Sequence, residues 1–564
     1  MFKLTRIFDL AFCYEWERSE CKLYLYIFMN KRLMMMHGRL FLFLVISFTF
    51  ACEAQNRVRT ERAVNFYYVD PANGNDDYPG TSKNAPWKSI PGTRMVNDQA
   101  WLRTAWGAIT NSNKIQAGDV IELKAGTTFN SSIGGKVLIN SEFYENGIFN
   151  KPIIIRVSST WGEGHTQIDA QGINLSKYSA FISVESRNNV HLSGANESRL
   201  LQVKNIKGEG VWGISLWGTK DDKQKGIHLS YTEVSHSDYG GVTIGYSDNW
   251  LVSKARSHHN KSIGFDVGGI NDQHADNGEY RDTEAFANGT KGSTDIAHGF
   301  GLYGATNITY RRCKAYANVR DGFDFGTVGN DKASNAMVIQ SIAFDNGEDG
   351  FGVNGAYDAA GVDNTFTYIR SIAYNNNQTG WNIYGGADAF LYHVISHHNG
   401  SQKYFGGNFM IYSSIAESSV YTTSATIRNS VGFAPKRHVN IYSYDSGGIE
   451  TRIDSDFNIF VPRVKDAESF SELPYGTMDS YGEPPSWIGK NDCIGMRCDP
   501  KFVRVDTTDF SHNDYHLAPD SPAIDAGMFL NIPPHSPLQI DNVDRLDTPD
   551  IGIYESSSNK RTAK

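Results

Sequence analysis

The sequence predicts an all-β solenoid of stacked parallel strands, and three observations lead there. Short strand-like runs broken by Gly, Asn and Asp continue from Val64 to about residue 460, and no long stretch holds an amphipathic helical period. Five asparagines, Asn260, Asn288, Asn318, Asn346 and Asn376, recur at intervals of 28, 30, 28 and 30. Each precedes a Gly-aromatic pair: Gly264-Phe265, Gly299-Phe300, Gly322-Phe323, Gly350-Phe351 and Gly380-Trp381. The Asn-to-Gly gap is four in four cases and eleven between Asn288 and Gly299, so seven extra residues loop out there. A strand repeat of this length cannot bury an apolar face alone and must stack on its neighbours, one coil per strand spacing of about 4.8 Å.

Composition agrees. The 564 residues include 54 glycines, 40% hydrophobic and 12% aromatic residues, with a mean hydropathy of -0.41, which describes a folded, polar, turn-rich chain and excludes a disordered one. Only 20% of residues are charged and the net charge is -9, against a coiled coil or a nucleic-acid binder.

At the N-terminus, Leu40 to Phe50 is an eleven-residue apolar run flanked by Lys31, Arg32 and Arg39. It is shorter than the roughly 20 residues that span a bilayer and reads as the core of a signal peptide, with translation starting at Met29 or Met34. Residues 1–54 are therefore set aside, with cleavage near Ala54 or a lipid on Cys52, and the expected location is secreted or outer-surface lipoprotein in a bacterium. The remaining chain carries 46 basic and 57 acidic groups, a balance of -11.

Residues 55–460 form the predicted solenoid. It opens with the strand Phe66-Tyr67-Tyr68-Val69-Asp70, a polar loop over 73–81 and Ala85-Pro86-Trp87, followed by strand units at Ala117 to Leu123 and Lys151 to Arg156. Residues 461–498, with several prolines and little periodicity, read as a loop excursion, and 499–564 as closing coils and a cap that covers the open end. Cys313 stands alone, while Cys493 and Cys498 are close enough to form a local disulfide in an oxidising compartment.

Alternation assigns faces to each coil. Phe265 and Val267, Phe300 and Leu302, Phe323 and Phe325, Phe351 and Val353, and Trp381 and Ile383 point inward. The residue between each pair then points outward, giving the column Asp266, Gly301, Asp324, Gly352, Asn382. The repeated asparagines form an internal amide ladder at a turn. Chemistry belongs on the outer face.

The Tyr-Tyr-Val-Asp opening with its Gly-Asn-Asp loop, the Gly-Asp-Val-Ile unit, the Asn coils and the Ser521-Pro522-Ala523-Ile524-Asp525-Ala526-Gly527 ending resemble secreted right-handed parallel β-helix proteins of the pectin-lyase-like class. The similarity spans nearly all of residues 65–555. Within it, Ala297-His298-Gly299-Phe300-Gly301, Lys314 to Asp324 and Asp349-Gly350-Phe351-Gly352 look most like family 9 pectate lyases, whose carboxylates bind calcium and whose lysine is the base. The resemblance implies calcium-ligand places at Asp321 and Asp324. His298 and Arg320 stand where the family has two further acids, and the lysine's place falls on Gly352, so the family mechanism does not transfer whole.

Read from the residues, Asp321, Asp324 and Asp349 come together when coils stack in register. Such a density of carboxylates suits Ca²⁺, or raises the pKa of one member by like-charge repulsion; Asp before Gly is also favoured in turns for purely structural reasons. His298, one coil earlier, or Lys291 in the adjacent insertion beside Asp295, is the expected base, and Arg320 pairs with a substrate carboxylate or with Asp349 or Glu348. Asp266, Tyr303 and Tyr384 are expected to contact substrate, with Trp217 and Trp250 as further stacking candidates. A zinc set of His274, Asp276 and His298 is an alternative lacking the usual spacing. His258-His259 and His397-His398 read as ladder or surface residues.

The leading expectation is a monomeric polysaccharide lyase acting on an acidic, uronate-containing polysaccharide by β-elimination. A glycoside hydrolase using paired carboxylates and a non-catalytic carbohydrate-binding β-helix are the alternatives.

Overall fold

A computed structural model of the protein describes residues 64–97, 100–103, 114–130, 135–268, 273–292, 296–326, 334–354, 364–400, 407–416, 419–433, 441–444, 451–461, 470–472, 488–506, 512–530 and 548–555. The leader with Cys52 and both candidate start sites, and Asp295, lie outside the described residues. No helix among the described residues is long and apolar enough to cross a membrane.

Each coil lays down three short strands. In the coil that carries Asp324 they are Ile308–Arg311, Lys314–Tyr316 and Phe323–Gly326. Stacked coils build three sheets of 13, 13 and 14 strands, here numbered first to third in the order that the chain visits them within a coil. Pairing is parallel along all three, except that Thr93–Asn97 runs antiparallel to both its neighbours near the start of the third sheet. The chain is thus a parallel β-helix.

The inward columns are as alternation predicts. Phe265, Phe300, Phe323, Phe351, Trp381 and Phe409 are in register and fully buried. Their rings stack at centroid distances of 5.2, 4.8, 4.8, 4.9 and 5.5 Å, so one strand spacing is also a ring spacing. Tyr280, Tyr310 and Tyr368 fill the core opposite them, from the first sheet.

The asparagine ladder lies in the turn between the second and third sheets. Each side-chain amide donates to the next coil's Oδ1, at 3.0 Å from Asn260 to Asn288, 3.1 Å to Asn318, 3.0 Å to Asn346, 2.9 Å to Asn376 and 3.0 Å to Asn399. The other amide proton goes to the Ser257 hydroxyl from Asn260 and to a backbone carbonyl from the later rungs, as from Asn318 to Ala285 at 3.2 Å, and the same Oδ1 accepts the previous asparagine's backbone N–H. Both ends of every amide are therefore satisfied in the dry interior. Asn399 is a rung beyond the five that the spacing revealed, because its interval is shorter.

Two left-handed residues bend each coil. Asp282, Arg312, Gln340, Arg370 and His393 (φ 50–55°) turn the first sheet into the second, and Ala287, Ala317, Asp345, Asn375 and His398 (φ 52–56°) precede the ladder.

The ends differ from expectation. Within 461–498, Phe470–Glu472 extends the third sheet and Cys493–Ile494 the second, so part of this stretch continues the helix instead of leaving it. Cys493 and Cys498 are disulfide-bonded across a short 3₁₀ turn. Beyond residue 499, the described residues add no strand to the three sheets. Phe502–Arg504 and Asp514–Leu517 form an antiparallel hairpin, and Tyr515, Leu517, Ala523, Ile551 and Ile553 bury themselves with Tyr374, Ile395, Val431 and Ile459 on the outside of the second sheet. The expected closing coils are a side cover. His397 belongs to this contact: it is fully buried, stacks between Tyr374 and Phe433, and meets the Tyr515 hydroxyl at 2.7 Å.

The ladder makes a quantitative claim. Asn318→Ala leaves the Asn288 backbone N–H and one proton of its side-chain amide buried without their Asn318 acceptor and is expected to destabilise by about 2–4 kcal/mol, whereas Lys314→Ala on the exposed side of the same coil changes stability by less than about 0.5 kcal/mol. Urea denaturation midpoints of the two variants provide the comparison, and equal midpoints would remove the ladder from the stability argument.

Candidate active site

The outward column of the third sheet runs Asp266, Gly301, Asp324, Gly352, Asn382 in direct register. Beside it, where each coil turns into the third sheet, lies a second column of residues that immediately precede the Gly-aromatic pairs: His298, Asp321, Asp349 and Thr379. The insertion after Asn288 does not disturb this column, because Phe300 still pairs with Phe265 and Phe323. Charged groups thus converge where the two columns meet.

His298 is the centre. Its Nδ1 lies 3.0 Å from Asp321 Oδ2 and its Nε2 3.2 Å from Asp324 Oδ2, so one imidazole joins carboxylates of the next coil. Only 3% of the histidine is exposed. Burial pushes its pKa down, but the charges of Asp324 and Asp321 outweigh that and hold it above the ordinary value, and the Asp321 backbone N–H also points at Nδ1 at 3.3 Å. Tyr303, half-buried, donates its hydroxyl to the same Asp324 Oδ2 at 2.6 Å. Asp324 therefore sits between a phenol and an imidazole.

The acids divide by surroundings. Burial raises the Asp324 pKa, His298 pulls it down and Asp321 raises it again; the net shift is upward. Asp266 is pushed up to about 7 by burial, against a 3.4 Å hydrogen bond from the Thr243 hydroxyl. Asp349 is pushed up to about 8 by burial and by the nearby charge of Asp321. Its Oδ1 accepts from the Thr379 backbone N–H (3.0 Å) and hydroxyl (2.7 Å), its Oδ2 from Asn382 Nδ2 (2.7 Å), and its own N–H donates to Asp321 Oδ1 at 2.8 Å.

This changes the expected cation set. Asp349 faces Thr379 and Asn382, and the group whose ligand atoms lie within 4.8 Å of one another is His298, Asp321 and Asp324. Those three residues have the donors to hold a metal ion. As a calcium site the group is poor: calcium takes six to eight oxygen ligands, whereas here an imidazole stands between the two carboxylates, 3.0 Å from one and 3.2 Å from the other. The zinc set is not assembled, since His274 Nδ1 bonds the Gly304 carbonyl and Asp276 is tied to Lys223 (2.8 Å) and Thr306 (2.9 Å).

The other expected residues are placed as follows. Arg320 pairs with Glu348 at 2.9 Å, one of the partners foreseen for it, and stays partly exposed. Lys291 is exposed on the preceding turn, and the ion pairs of Asp321 and Asp324 go to His298 instead. Tyr384 is stacked on Tyr412 at 5.0 Å, which covers one ring face. Trp250 is a core residue, 3% exposed. His258 stacks on Phe286 at 4.5 Å, continuing an outer ring ladder on the second sheet.

Sequence reasoning missed Thr243, Thr379 and Asn382 as carboxylate partners. It also missed Tyr303 as a hydrogen-bond donor, since it lies two residues past Gly301 and reaches Asp324 diagonally across coils. The glycines differ in kind. A Cβ on Gly301 would come within 2.6 Å of Ile263 Cδ1 and 2.8 Å of Tyr303 Cε2, so a side chain there displaces the tyrosine ring. On Gly352 the nearest atom is Asp321 Oδ2 at 3.5 Å, an ordinary contact, so this position has room for a side chain.

No protein-family model matches the chain, and no curated protein matches it in sequence. Among solved structures it is similar to the pectate lyase Pel9A, at 18% identity over 88% of this chain and 98% of that one, with a TM-score of 0.45. It is also similar to a rhamnogalacturonan lyase (16%, 70% and 87%, TM-score 0.42) and to the A-module of the mannuronan C-5 epimerase AlgE6 of Azotobacter vinelandii (14%, 67% and 91%, TM-score 0.45). The parallel β-helix itself stands on the chain's own strand register.

Proposed function

We propose that this chain is an exported enzyme that cleaves a uronate-containing polysaccharide by β-elimination on the outer face of the third sheet. One observation carries the reading: Asp324 and the Tyr303 hydroxyl, 2.6 Å apart, stand on that face backed by the buried His298. Elimination needs a base for the proton alpha to the uronate carboxylate and an acid for the departing oxygen. Ionised Asp324, with its pKa raised, takes the proton; the electron pair forms the new carbon–carbon double bond; the glycosidic C–O bond breaks; and the oxygen leaves with the Tyr303 proton. Because the two groups are already hydrogen-bonded, the proton on Asp324 then returns to Tyr303 and the site resets.

In this reading His298 positions Asp324 and favours its ionised form, and the base is Asp324, since both nitrogens of the buried His298 already face carboxylates. Partly exposed Arg320 is the cation for the substrate carboxylate. His298 stands between Asp321 and Asp324 where a cation would, and this reading runs without calcium. Export fits the signal-like leader and the Cys493–Cys498 bond.

Hydrolysis is the second reading, favoured by one observation. Asp266 and Asp324 are separated by the single coil of Gly301, roughly 9.6 Å between backbones, so that carboxyl groups inclined toward each other reach the roughly 6.5–9.5 Å of inverting glycosidases, and an Asp266 pKa of about 7 suits a general acid.

Incubation with pectate, rhamnogalacturonan and mannuronan separates the readings. Elimination gives the ultraviolet absorbance of a conjugated double bond, unchanged by EDTA, and Asp324→Asn lowers kcat by about 10²–10⁴ with little change in KM. Reducing ends without absorbance would replace elimination by hydrolysis, and binding without either product would remove the enzyme.

A pH profile tests the proton inventory. Activity requires ionised Asp324, so the acid limb of kcat/KM lies above the ordinary carboxylate value of about 4. His298→Gln removes the positive neighbour, which raises the Asp324 pKa further and moves that limb to higher pH. A limb that stays in place or shifts toward acid contradicts the role given to His298.

A further inference from the structure

Two residues beyond the catalytic column, the same outer face carries a parallel row: Trp217, Gly245, Gly268, Tyr303, Gly326. Trp217 is half-buried and pairs across strands with Gly245. A Cβ built on Gly245 would lie 2.5 Å from both Cη2 and Cζ3 of the indole and 2.7 Å from Cε3. Three consecutive ring atoms at nearly equal distance place that point over the face of the ring, not at its edge. The indole therefore lies flat on the bare backbone of the next coil, with Tyr246 edge-on beside it at 6.0 Å and 88°. The ring face away from Gly245 points outward.

The other aromatics of this row are used differently. Tyr384 and Tyr412 cover each other's faces, and Tyr303 commits its hydroxyl to Asp324. Between the indole and Tyr303 lies Gly268, where a Cβ would strike the Tyr303 carbonyl at 1.9 Å, so the floor there carries no side chain. From the coil of Gly245 to that of Asp324 is three strand steps, roughly 14 Å, a span of a few sugar rings.

We propose that Trp217, held flat by Gly245, is a sugar-stacking platform for the substrate chain, and that the chain lies along the helix axis from this platform over Gly268 to Asp324. This rests on the polysaccharide-cleaving reading and adds its direction and a distal subsite. The apolar face of a pyranose ring stacks on an aromatic face without needing a charge, so the platform contributes affinity for long substrates and nothing to the bond-breaking step. Substrates too short to reach from Asp324 to Trp217 do not feel it.

The test separates binding from turnover. In the Asp324→Asn background, affinity electrophoresis through gels containing pectate, rhamnogalacturonan or mannuronan measures retardation without cleavage. Trp217→Ala is expected to weaken the retardation about three- to tenfold, Trp217→Phe to keep most of it, and Gly245→Ala, whose methyl lifts the indole, to weaken it although the tryptophan remains. Thermal melting verifies that each variant is folded. With Asp324 restored, Trp217→Ala raises KM for long oligosaccharides, while short ones and kcat are unchanged. If Trp217→Ala binds and cleaves long substrates like the parent, the platform is wrong and the elimination reading stands. If no polymer is bound or cleaved by the native chain, both fall.

Discussion

Register between coils is the constraint on which everything else depends. A parallel β-helix has no sequence-local site: every hydrogen bond and ion pair described at this site joins different turns of the chain. The amide ladder from Asn260 to Asn399 sets the phase of each coil at the turn immediately before the site, and Asn318, Asn346 and Asn376 stand three residues before Asp321, Asp349 and Thr379. The buried ring stack sets the same phase from inside the third sheet. A slip of one residue would turn Asp324 inward and Phe323 outward, so core and chemistry stand or fall together.

The site gathers more acid than a folded interior tolerates, and it does so with few positive partners. Asp266, Asp324 and Asp349 all have pKa values raised by burial. An acid whose folded pKa exceeds its unfolded one favours the fold fully below the unfolded value near 4, and that contribution fades as pH rises through the folded value, here about 7 for Asp266 and about 8 for Asp349. His298 works the opposite corner, as a buried base whose pKa two acids hold above its ordinary value. The result is a set of groups that exchange protons near neutrality, which surface aspartates do not do.

Much of the fold was legible in the sequence, because its signals are periodic. The asparagine spacing, the Gly-aromatic pairs and the in-out alternation gave the coils, the inward columns and the outward row that holds Asp266 and Asp324. The non-glycine left-handed turns were not legible, since Arg312, Ala317 and Gln340 carry no turn signature and are held there by the coil. Nor was the side cover after residue 499, whose apolar residues look like those of another coil. Within the site, the proximity of Asp321 and Asp324 followed from stacking. The bridging by His298, the rotation of Asp349 toward Thr379 and Asn382, and the reach of Tyr303 to Asp324 depend on rotamers that register leaves open.

The insertion between Asn288 and Gly299 shows what this architecture permits over evolutionary time. The ladder holds the chain on one side of it and the Phe300 strand recaptures it on the other, so an enlargement there is absorbed locally and transmits no strain to neighbouring turns. Grafting at such a corner changes what borders the outer face without asking the interior to be re-solved. A scaffold of this kind is modular at its corners and conservative everywhere else, which leaves new specificities within reach of a single insertion.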